Sequence, residues 1–483
     1  MSIRVLSTEA FLLNMRTRMP FRYGITTLTA LPHLFLRAEV EIDGKRQTGV
    51  SADHLPPKWF TKNPDTSARE DIAGLLEVID TARDVARATP KSDTVFAWWR
   101  RMYEGMAAWG GGWGKAPLLV HFGTSLVERA LVDAFCRAEG MTFAKALRGN
   151  WFGVDLGALH ADLDGAEPSA FLPAEPLRTH VARHTFGLTD PLTAPEIADA
   201  DRVDDGLPQS LEACIREYGL THFKIKLWGD AGRDLDRLRA IADVIGRNVG
   251  GDYAFTLDGN ENFKQIGPFR TLWESLTTEP SLQAFMSKLL FVEQPLHRDV
   301  ALSEDVKREF LAWADRPPVI IDESDGDVRS APLALSRGYA GTSHKNCKGV
   351  FKGVANACLI AHRGRAEPGR RFVISGEDLS NIGPVALMQD TAVVASLGIA
   401  HAERNGHHYF RGLSMLPDDL QAAVLGAHGD LYHRHERGFV TARVERGVAR
   451  VGSVVDAPFG VDFRFDPSRF TPINEWSFDS LGL

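Results

Sequence analysis

The sequence predicts an α/β fold built on a (β/α)8 barrel, and two observations support that prediction. Eight short runs typical of strands recur from about residue 180, and helix-like segments follow most of them. Polar residues gather at the carboxyl end of each run, which is the end where barrels of this kind carry their active sites. The runs are HVARHTF (180–186), HFKIKLW (222–228), YAFTLDGN (253–260), LLFVEQPL (289–296), PVIIDES (318–324), GTSHKN (341–346), RFVISGED (371–378) and IAHAERNG (399–406).

The first 110 residues predict strands followed by helices. LPHLFLRAEVEIDG (31–44) alternates and ends in Asp-Gly, a hairpin signal, and 82–109 is helical in composition. Gly110 to Lys115 resembles a phosphate loop, but Trp109 and Ala116 stand where that loop needs Gly and Ser or Thr. We therefore predict a flexible linker there. The polar, proline-containing stretch 161–179 is predicted to be an inserted loop. The acidic stretch 198–210 is predicted to be exposed to solvent.

Composition excludes several classes of function. The chain has 483 residues and a net charge of −8 without basic blocks, which argues against a nucleic-acid partner. No apolar run is long enough to span a membrane, and from the composition of the N-terminus we expect no signal peptide. Four scattered cysteines without a CxxC pair predict neither a disulfide framework nor a cysteine-bound zinc site. We expect a cytoplasmic protein that forms a homo-oligomer.

Three acids end consecutive predicted strands: Asp258, Glu293 and Asp322. Their spacings of 35 and 29 residues each match one strand-helix unit, so the side chains should lie close together at the rim. Strand alternation favours Asp322 over Glu323, since Ile320 and Asp322 point the same way. A single acid more often caps a helix or pairs with a lysine, but three at successive strand ends indicate one Mg2+ site, with Mn2+ as an alternative.

Three lysines complete the predicted site. Lys224 and Lys226 lie two apart on one strand, so both face the barrel interior, and Lys345 lies four strands further on, across the mouth. A second cation and a divalent metal lower the pKa of a nearby lysine, which then serves as a base. Two such amines would act on opposite faces of one carbon. The alternative, above all for Lys224, is a lysine that only forms salt bridges.

Five motifs in this order, FKIKL, LDGNE, VEQPL, IIDES and HKNCKG, resemble the enolase superfamily. The pattern is similar to its mandelate racemase/muconate lactonizing enzyme group, especially the muconate-lactonizing branch with two opposed lysines. The resemblance implies Mg2+-dependent removal of the proton alpha to the carboxylate of a small organic acid, through a metal-stabilised enediolate. The outcome would be racemisation or epimerisation, cycloisomerisation, or dehydration.

The resemblance also implies roles for individual residues. Lys226 and Lys345 are similar to the two bases, and Lys224 to their electrostatic partner. The segment Lys348-Gly349-Val350 departs from the two glycines usual in the family, so Lys348 stays an alternative to Lys345. Asn260, in the Asp-x-Asn motif, is a candidate substrate contact.

An α+β capping domain, completed by the C-terminal segment, is the second part of the fold that the resemblance implies. The expected boundaries are 1–120 for the cap, 121–424 for the barrel and 425–483 for the returning segment. Loops of the cap would select the substrate, which makes Arg22, Tyr23 and His54 candidate contacts, with solvated or cap-packed side chains as the alternative. The polar loops, without an obvious apolar slot, favour a substrate that is not aromatic.

The last two predicted strands add the acids Glu377 and Glu403 to the rim. Each is a candidate substrate-binding acid, a group that orders a lysine, or a salt-bridge partner of Arg404 or Arg411. Three histidines lie nearby: His401, His407 and His408. They lack the spacing of metal-binding histidines, so we expect them only to form hydrogen bonds. Two other classes of function stay open: a lyase that forms a Schiff base through Lys345, and a catalytically silent ligand-binding relative.

Overall fold

The computed structural model describes residues 1–483, and a closed parallel barrel occupies most of the chain after residue 178. Its eight strands pair in sequence order, and the last pairs with the first through His401 and Val181. Each of the eight predicted runs overlaps one of these strands, so the barrel prediction is confirmed. The strands are β4 (Thr179–Phe186), β5 (His222–Lys226), β6 (Ala254–Asp258), β7 (Leu289–Glu293), β8 (Val319–Ile321), β9 (Gly341–His344), β10 (Val373–Gly376) and β11 (His401–Glu403).

An antiparallel sheet near the N-terminus forms the cap. Its order is β15-β1-β2-β3, so the C-terminal strand β15 completes the cap as expected. Asp43 and Gly44 both have positive φ, of 48° and 79°, and this pair makes the predicted hairpin turn between β2 and β3. The strands outside the barrel are β1 (Ile3–Tyr23), β2 (Thr26–Ile42), β3 (Lys45–His54), β12 (Tyr432–Arg434), β13 (Val440–Ala442), β14 (Val448–Arg450) and β15 (Thr471–Pro472).

Helices cover both sheets. Those before the barrel are α1 (Ala68–Ala88), α2 (Val95–Gly112), α3 (Pro117–Ala138) and α4 (Phe143–Arg148). Those within and after it are α5 (Leu211–Tyr218), α6 (Ala231–Val249), α7 (Ile266–Thr278), α8 (Gln283–Met286), α9 (Arg298–Ala301), α10 (Glu304–Ala312), α11 (Ser330–Ser336), α12 (Val350–Ala366), α13 (Val385–Ser396), α14 (Gly406–Tyr409), α15 (Asp418–Ala427) and α16 (Gly452–Asp456). No helix combines the length and the hydropathy that a membrane crossing requires.

The central helix of the cap, α3, is packed so closely that glycine is required on both sides. A Cβ on Gly49 of β3 would lie 2.0 Å from the carbonyl oxygen of Ala130. A Cβ on Gly123 would lie 2.3 Å from the carbonyl oxygen of Val78 in α1. Helix α3 is thus wedged between the cap sheet and α1. The boundary expected at residue 120 falls within this helix and stays a prediction, as do the other boundaries.

Two local predictions differ from the structure. Gly110, Gly111 and Gly112 form the last turn of α2, so the expected linker is reduced to the four residues before α3. The acidic stretch 198–210 is not solvated throughout, because Asp205 is buried and accepts two hydrogen bonds from Arg18, at 2.6 and 2.8 Å. In both places a tertiary contact overrides the local composition.

Candidate active site

The carboxyl ends of the barrel strands bring the predicted lysines and acids into one buried cluster. Each side chain lies at the last residue of its strand, within it, or one residue beyond it, where the strands converge. The members are Lys224, Lys226, Asp258, Glu293, Asp322, Lys345, Glu377 and Glu403. A pocket of about 740 Å³, measured out to its open mouth, lies directly above and is lined by six of them but not by Glu293 or Glu377.

Lys224 is the central cation of this cluster. Its Nζ lies 2.8 Å from carboxylate oxygens of both Glu293 and Glu403, 3.0 Å from Glu377 and 3.2 Å from Asp258. Burial alone would lower the pKa of Lys224, but the four carboxylates outweigh it and raise that pKa well above its usual value. Lys224 is therefore a fixed positive charge, which fits an electrostatic partner better than a base.

Lys226 and Lys345 face the pocket from strands β5 and β9. The Nζ of Lys226 donates to Asp258 Oδ2 and to Asn260 Oδ1, both at 2.9 Å. The Nζ of Lys345 donates to Asp322 Oδ2 at 2.8 Å and lies 4.7 Å from the ring centroid of Trp59. The expected lowered pKa is not found for Lys345: burial lowers it, but Asp322 and Glu377 raise it well above the usual value.

Lys348, the alternative to Lys345, is buried in the short 3-10 turn (Asn346–Lys348) that follows β9. Its Nζ lies 2.7 Å from Asp322 Oδ1 and donates to the carbonyl oxygen of Asp322 and the hydroxyl of Ser343. It does not line the pocket, whereas Lys345 does. The geometry therefore favours Lys345 as the lysine that meets a ligand.

The carboxylates that approach one another most closely are Glu293, Asp322 and Glu377, with one oxygen from each within 4.8 Å of the others. Asp258, which the sequence places in the metal site, accepts from Lys226 and from the backbone amide of Asn260. Glu293 Oε2 is buried and has no hydrogen-bond partner. An orphaned oxygen among three carboxylates fits a hard cation such as Mg2+, whose preferred ligands are oxygens.

Opposite pKa shifts within this group reflect its crowding. Burial and the neighbouring Glu377 raise the pKa of Glu293 well above its usual value. Burial also opposes ionisation of Glu377, but Lys224, Lys345 and Arg183 together hold its pKa well below the usual range. A further positive charge at this point would ease the mutual repulsion of the acids.

The cap supplies an apolar wall to the pocket. Phe21, Tyr23, Leu28 and Trp59 line it from the cap, and Leu379 and Phe410 line it from barrel loops. The expectation of a pocket without an apolar slot is wrong, because the long strand β1 carries aromatic residues over the barrel mouth. The sequence offered no pattern that placed these residues together.

The three cap residues predicted as substrate contacts have different positions. Tyr23 and His54 line the pocket; Tyr23 donates to the carbonyl oxygen of Pro57 at 2.7 Å, and His54 Nδ1 lies 3.2 Å from that of Leu379. Arg22 is exposed outside the pocket, with its guanidinium carbon 5.1 Å from the ring centroid of Trp228. Successive side chains of a strand point to opposite faces, so Arg22 points away from the pocket that Phe21 and Tyr23 line.

Glu377 and Glu403 do not pair with Arg404 or Arg411, the arginines that the sequence suggested as partners. Glu377 accepts from Arg183 at 2.9 Å, and Glu403 accepts from Lys224. Arg404 instead pairs with Asp378 and Asp390. Arg183 is fully buried in β4, and its position in the run HVARHTF, beside the barrel axis, was the one signal that could have revealed it.

A second group missed in the sequence clamps the cap to the barrel mouth. Arg298 donates to both carboxylate oxygens of Glu261, at 2.7 and 2.8 Å, and to the carbonyl oxygens of Trp59 and Phe60. Lys62 lies 3.7 Å from Glu261. Glu261 belongs to the LDGNE motif, three residues after Asp258, so this motif serves the cap contact as well as the acidic cluster.

Comparison with known proteins identifies the fold. The muconate lactonizing enzyme of Pseudomonas fluorescens, solved with muconolactone, matches with a TM-score of 0.61 and 16% identity, over 96% of this chain and 98% of its own. The N-succinyl Arg/Lys racemase of Bacillus cereus matches with a TM-score of 0.56 and 14% identity, over 94% and 97%. The dipeptide epimerase of Enterococcus faecalis, solved with Mg and L-Leu-L-Tyr, matches with a TM-score of 0.56 and 14% identity, over 92% and 99%.

The chain thus has the barrel-and-cap fold of the mandelate racemase/muconate lactonizing enzyme group of the enolase superfamily. This confirms the fold that the five sequence motifs imply. No protein-family model matches the sequence, and no curated protein matches it either.

Proposed function

We propose that the protein is an Mg2+-dependent enzyme that removes the proton alpha to the carboxylate of a small organic acid. The observation that carries the proposal is the placement of Lys226 and Lys345 on the second and sixth barrel strands, both lining one pocket beside the acidic cluster. The outcome would be racemisation or epimerisation, cycloisomerisation, or dehydration. The similarity in fold to racemases, epimerases and lactonizing enzymes supports this reaction class.

The two amines would divide the proton transfers between them. Lys226, oriented by Asp258 and Asn260, would take or return a proton on one face of the substrate carbon. Lys345, placed by Asp322, would do the same on the opposite face. Whether the second amine returns the proton, or a group leaves from the next carbon, decides between racemisation and elimination.

Lys224 would hold its charge throughout the reaction. Four carboxylates fix its ammonium group, so its contribution is a constant field at the base of the pocket. Removal of a proton beside a carboxylate leaves negative charge on the substrate oxygens, and a fixed cation nearby lowers the cost of that charge. Glu377 and Glu403 then act as positioning residues for Lys224.

Glu293 and Asp322 would hold the Mg2+ ion, with Asp258 as the third ligand that the strand order favours. When bound, Mg2+ supplies a Lewis acid that polarises the substrate carboxylate. Glu377 is the competing third ligand because its carboxylate lies within the tighter group. Variants at these two positions separate the alternatives, as developed in the Discussion.

The pocket suits a substrate with an apolar portion remote from the reacting carbon. Aromatic side chains of the cap form the wall above the lysines, and water is excluded from the part of the ligand that they cover. We infer a small-molecule carboxylate as the partner, and no nucleic acid or membrane, since the chain carries net negative charge. We also propose that the protein is a homo-oligomer and that it is cytoplasmic. Its four buried, unpaired cysteines are compatible with a reducing compartment.

Deuterium exchange tests the proposal directly. The protein is incubated with Mg2+ in D2O and a panel of carboxylates: muconolactone, N-succinyl arginine and lysine, dipeptides, and hydroxy and sugar acids. We expect deuterium at the alpha carbon of at least one compound, detected by mass spectrometry, and its loss in the Lys226→Ala variant. Turnover of a panel member without any exchange from solvent would count against proton abstraction, and borohydride trapping of the substrate on Lys345 would favour a Schiff-base lyase.

A further inference from the structure

Three side chains with nitrogen and sulfur donors meet behind the first barrel strand, away from the active-site pocket. His184 in β4, Cys214 in α5 and His408 in α14 each offer one donor atom, and these atoms all lie within 4.8 Å of one another. The three residues are almost completely buried, with at most 1% of their surface exposed. Alternation along β4 points His184 away from the interior, where Arg183 lies.

Three ring nitrogens in this cluster lack hydrogen-bond partners. Both ring nitrogens of His184 and Nε2 of His408 are buried without a hydrogen bond. Buried polar atoms nearly always have a partner, so a side chain with two orphaned nitrogens needs an explanation.

Two donor atoms of the cluster lie at the separation that a shared metal would give them. Cys214 Sγ lies 3.5 Å from His408 Nδ1. Tetrahedral zinc, with bonds of about 2.3 Å to sulfur and about 2.0 Å to nitrogen, separates two such donors by about 3.5 Å. A thiol hydrogen bond also accounts for this pair, but it leaves both nitrogens of His184 unexplained.

We propose that His184, Cys214 and His408 bind a structural Zn2+ ion, distinct from the oxygen-lined Mg2+ site. Imidazole and thiolate are the ligands that zinc prefers, whereas carboxylates suit magnesium. His407, whose Nε2 is also unpartnered and whose ring lies 5.7 Å from that of His184, is a further donor beside the site. The sequence alone could not reveal this site because its proposed ligands are far apart along the chain.

The ion would join three elements, the last of which leads directly into the lining of the pocket. It links the first barrel strand to α5 and to α14, which follows the last barrel strand. Tyr409 in α14 stacks on Phe21 of the cap at 3.9 Å between ring centroids, and the next residue, Phe410, lines the pocket. Zinc would thus fix the segment that supports the apolar wall, without touching the substrate.

Cobalt spectroscopy tests this site separately from the proposed activity. The full-length protein is treated with a chelator and titrated with Co2+ in excess Mg2+, which occupies the oxygen-lined site. We expect one Co2+ per chain with a thiolate-to-cobalt charge-transfer band, displaced by Zn2+, and about one zinc per chain in the untreated protein by elemental analysis. The band should vanish in Cys214→Ser and persist in Cys358→Ser, which alters a buried cysteine outside the cluster.

A folded wild-type protein that binds no Co2+ under these conditions, or a thiolate band that survives Cys214→Ser, overturns the proposal. If Cys214→Ser does not fold, His184→Asn replaces it, since that variant keeps every cysteine; we expect at least a tenfold loss of Co2+ affinity. Unchanged affinity in His184→Asn also overturns the site. Neither result depends on finding a substrate.

Discussion

Replacement of Lys345 by methionine removes one proposed base while keeping the length of the side chain. General acid–base groups contribute about 10²- to 10⁴-fold to a rate, which corresponds to about 3–5 kcal/mol of the barrier. Lys345→Met should therefore slow turnover by at least about 10²-fold. Asp322 keeps Lys348 at 2.7 Å and Glu377 keeps Lys224 at 3.0 Å, so neither carboxylate becomes unpaired. The loss of stability should lie at or below the lower end of the about 3–5 kcal/mol seen for broken buried pairs.

Lys352→Met is the matched control for this variant. Lys352 is as buried as Lys345, pairs with Asp325 at 2.9 Å and does not line the active-site pocket. Turnover of an identified substrate and urea unfolding are measured for both proteins. We expect Lys352→Met to lose stability but to keep its activity. Wild-type turnover in Lys345→Met, or an equal loss of turnover in both variants, would refute the assignment of Lys345 as a base.

Two further predictions concern the metal and the pH. Asp258→Asn should weaken Mg2+ binding in calorimetry more than Glu377→Gln does, and the reverse order would make Glu377 the third ligand. Burial lowers the pKa of His121 from its usual value of about 6.5 to about 3, so the unfolded chain takes up a proton below pH 6.5 that the native chain does not bind. This histidine should therefore cost about 1.4 kcal/mol of stability for each pH unit below 6.5. Urea unfolding of His121→Gln should show a correspondingly shallower decline between pH 6.5 and pH 5, and a decline parallel to the wild type would contradict the expectation.

The barrel was predictable because its signals are local and repeated. Most strand runs carry polar residues near their carboxyl ends, and helices such as α6 and α12 follow the runs as the composition indicated. The Asp43-Gly44 turn was predictable for a similar reason, since both residues tolerate positive φ. The prediction for Gly110 to Gly112 was wrong. A run of glycines lowers helix propensity, but the packing of α2 against α3 continues the helix through these residues.

It was predictable that these lysines and acids lie together at the barrel mouth, but not which of their side chains touch. Strand order places Asp258, Glu293 and Asp322 side by side, and the sequence could not show that Lys226 engages Asp258 while Glu377 approaches the other two. Contacts of this kind depend on side-chain length and rotamer across the barrel rather than on position along it. For the same reason, the sequence could not show that Cys214 contacts His408, which lies 194 residues further along the chain.

The cap contacts explain how a pocket built from two domains keeps a defined shape. Arg298 holds the loop that carries Trp59, through the carbonyl oxygens of Trp59 and Phe60. Arg18 of β1 donates to Asp205 and to the carbonyl oxygen of His408, so the strand that carries Phe21 is tied to the barrel as well. Because these arginine contacts are largely buried, water competes with them less than at the surface. The distance between the aromatic wall and the lysines is therefore set by charged contacts of Arg298 and Arg18, which belong to neither group. We expect a change in the wall residues to alter which ligand binds while the lysines stay in place.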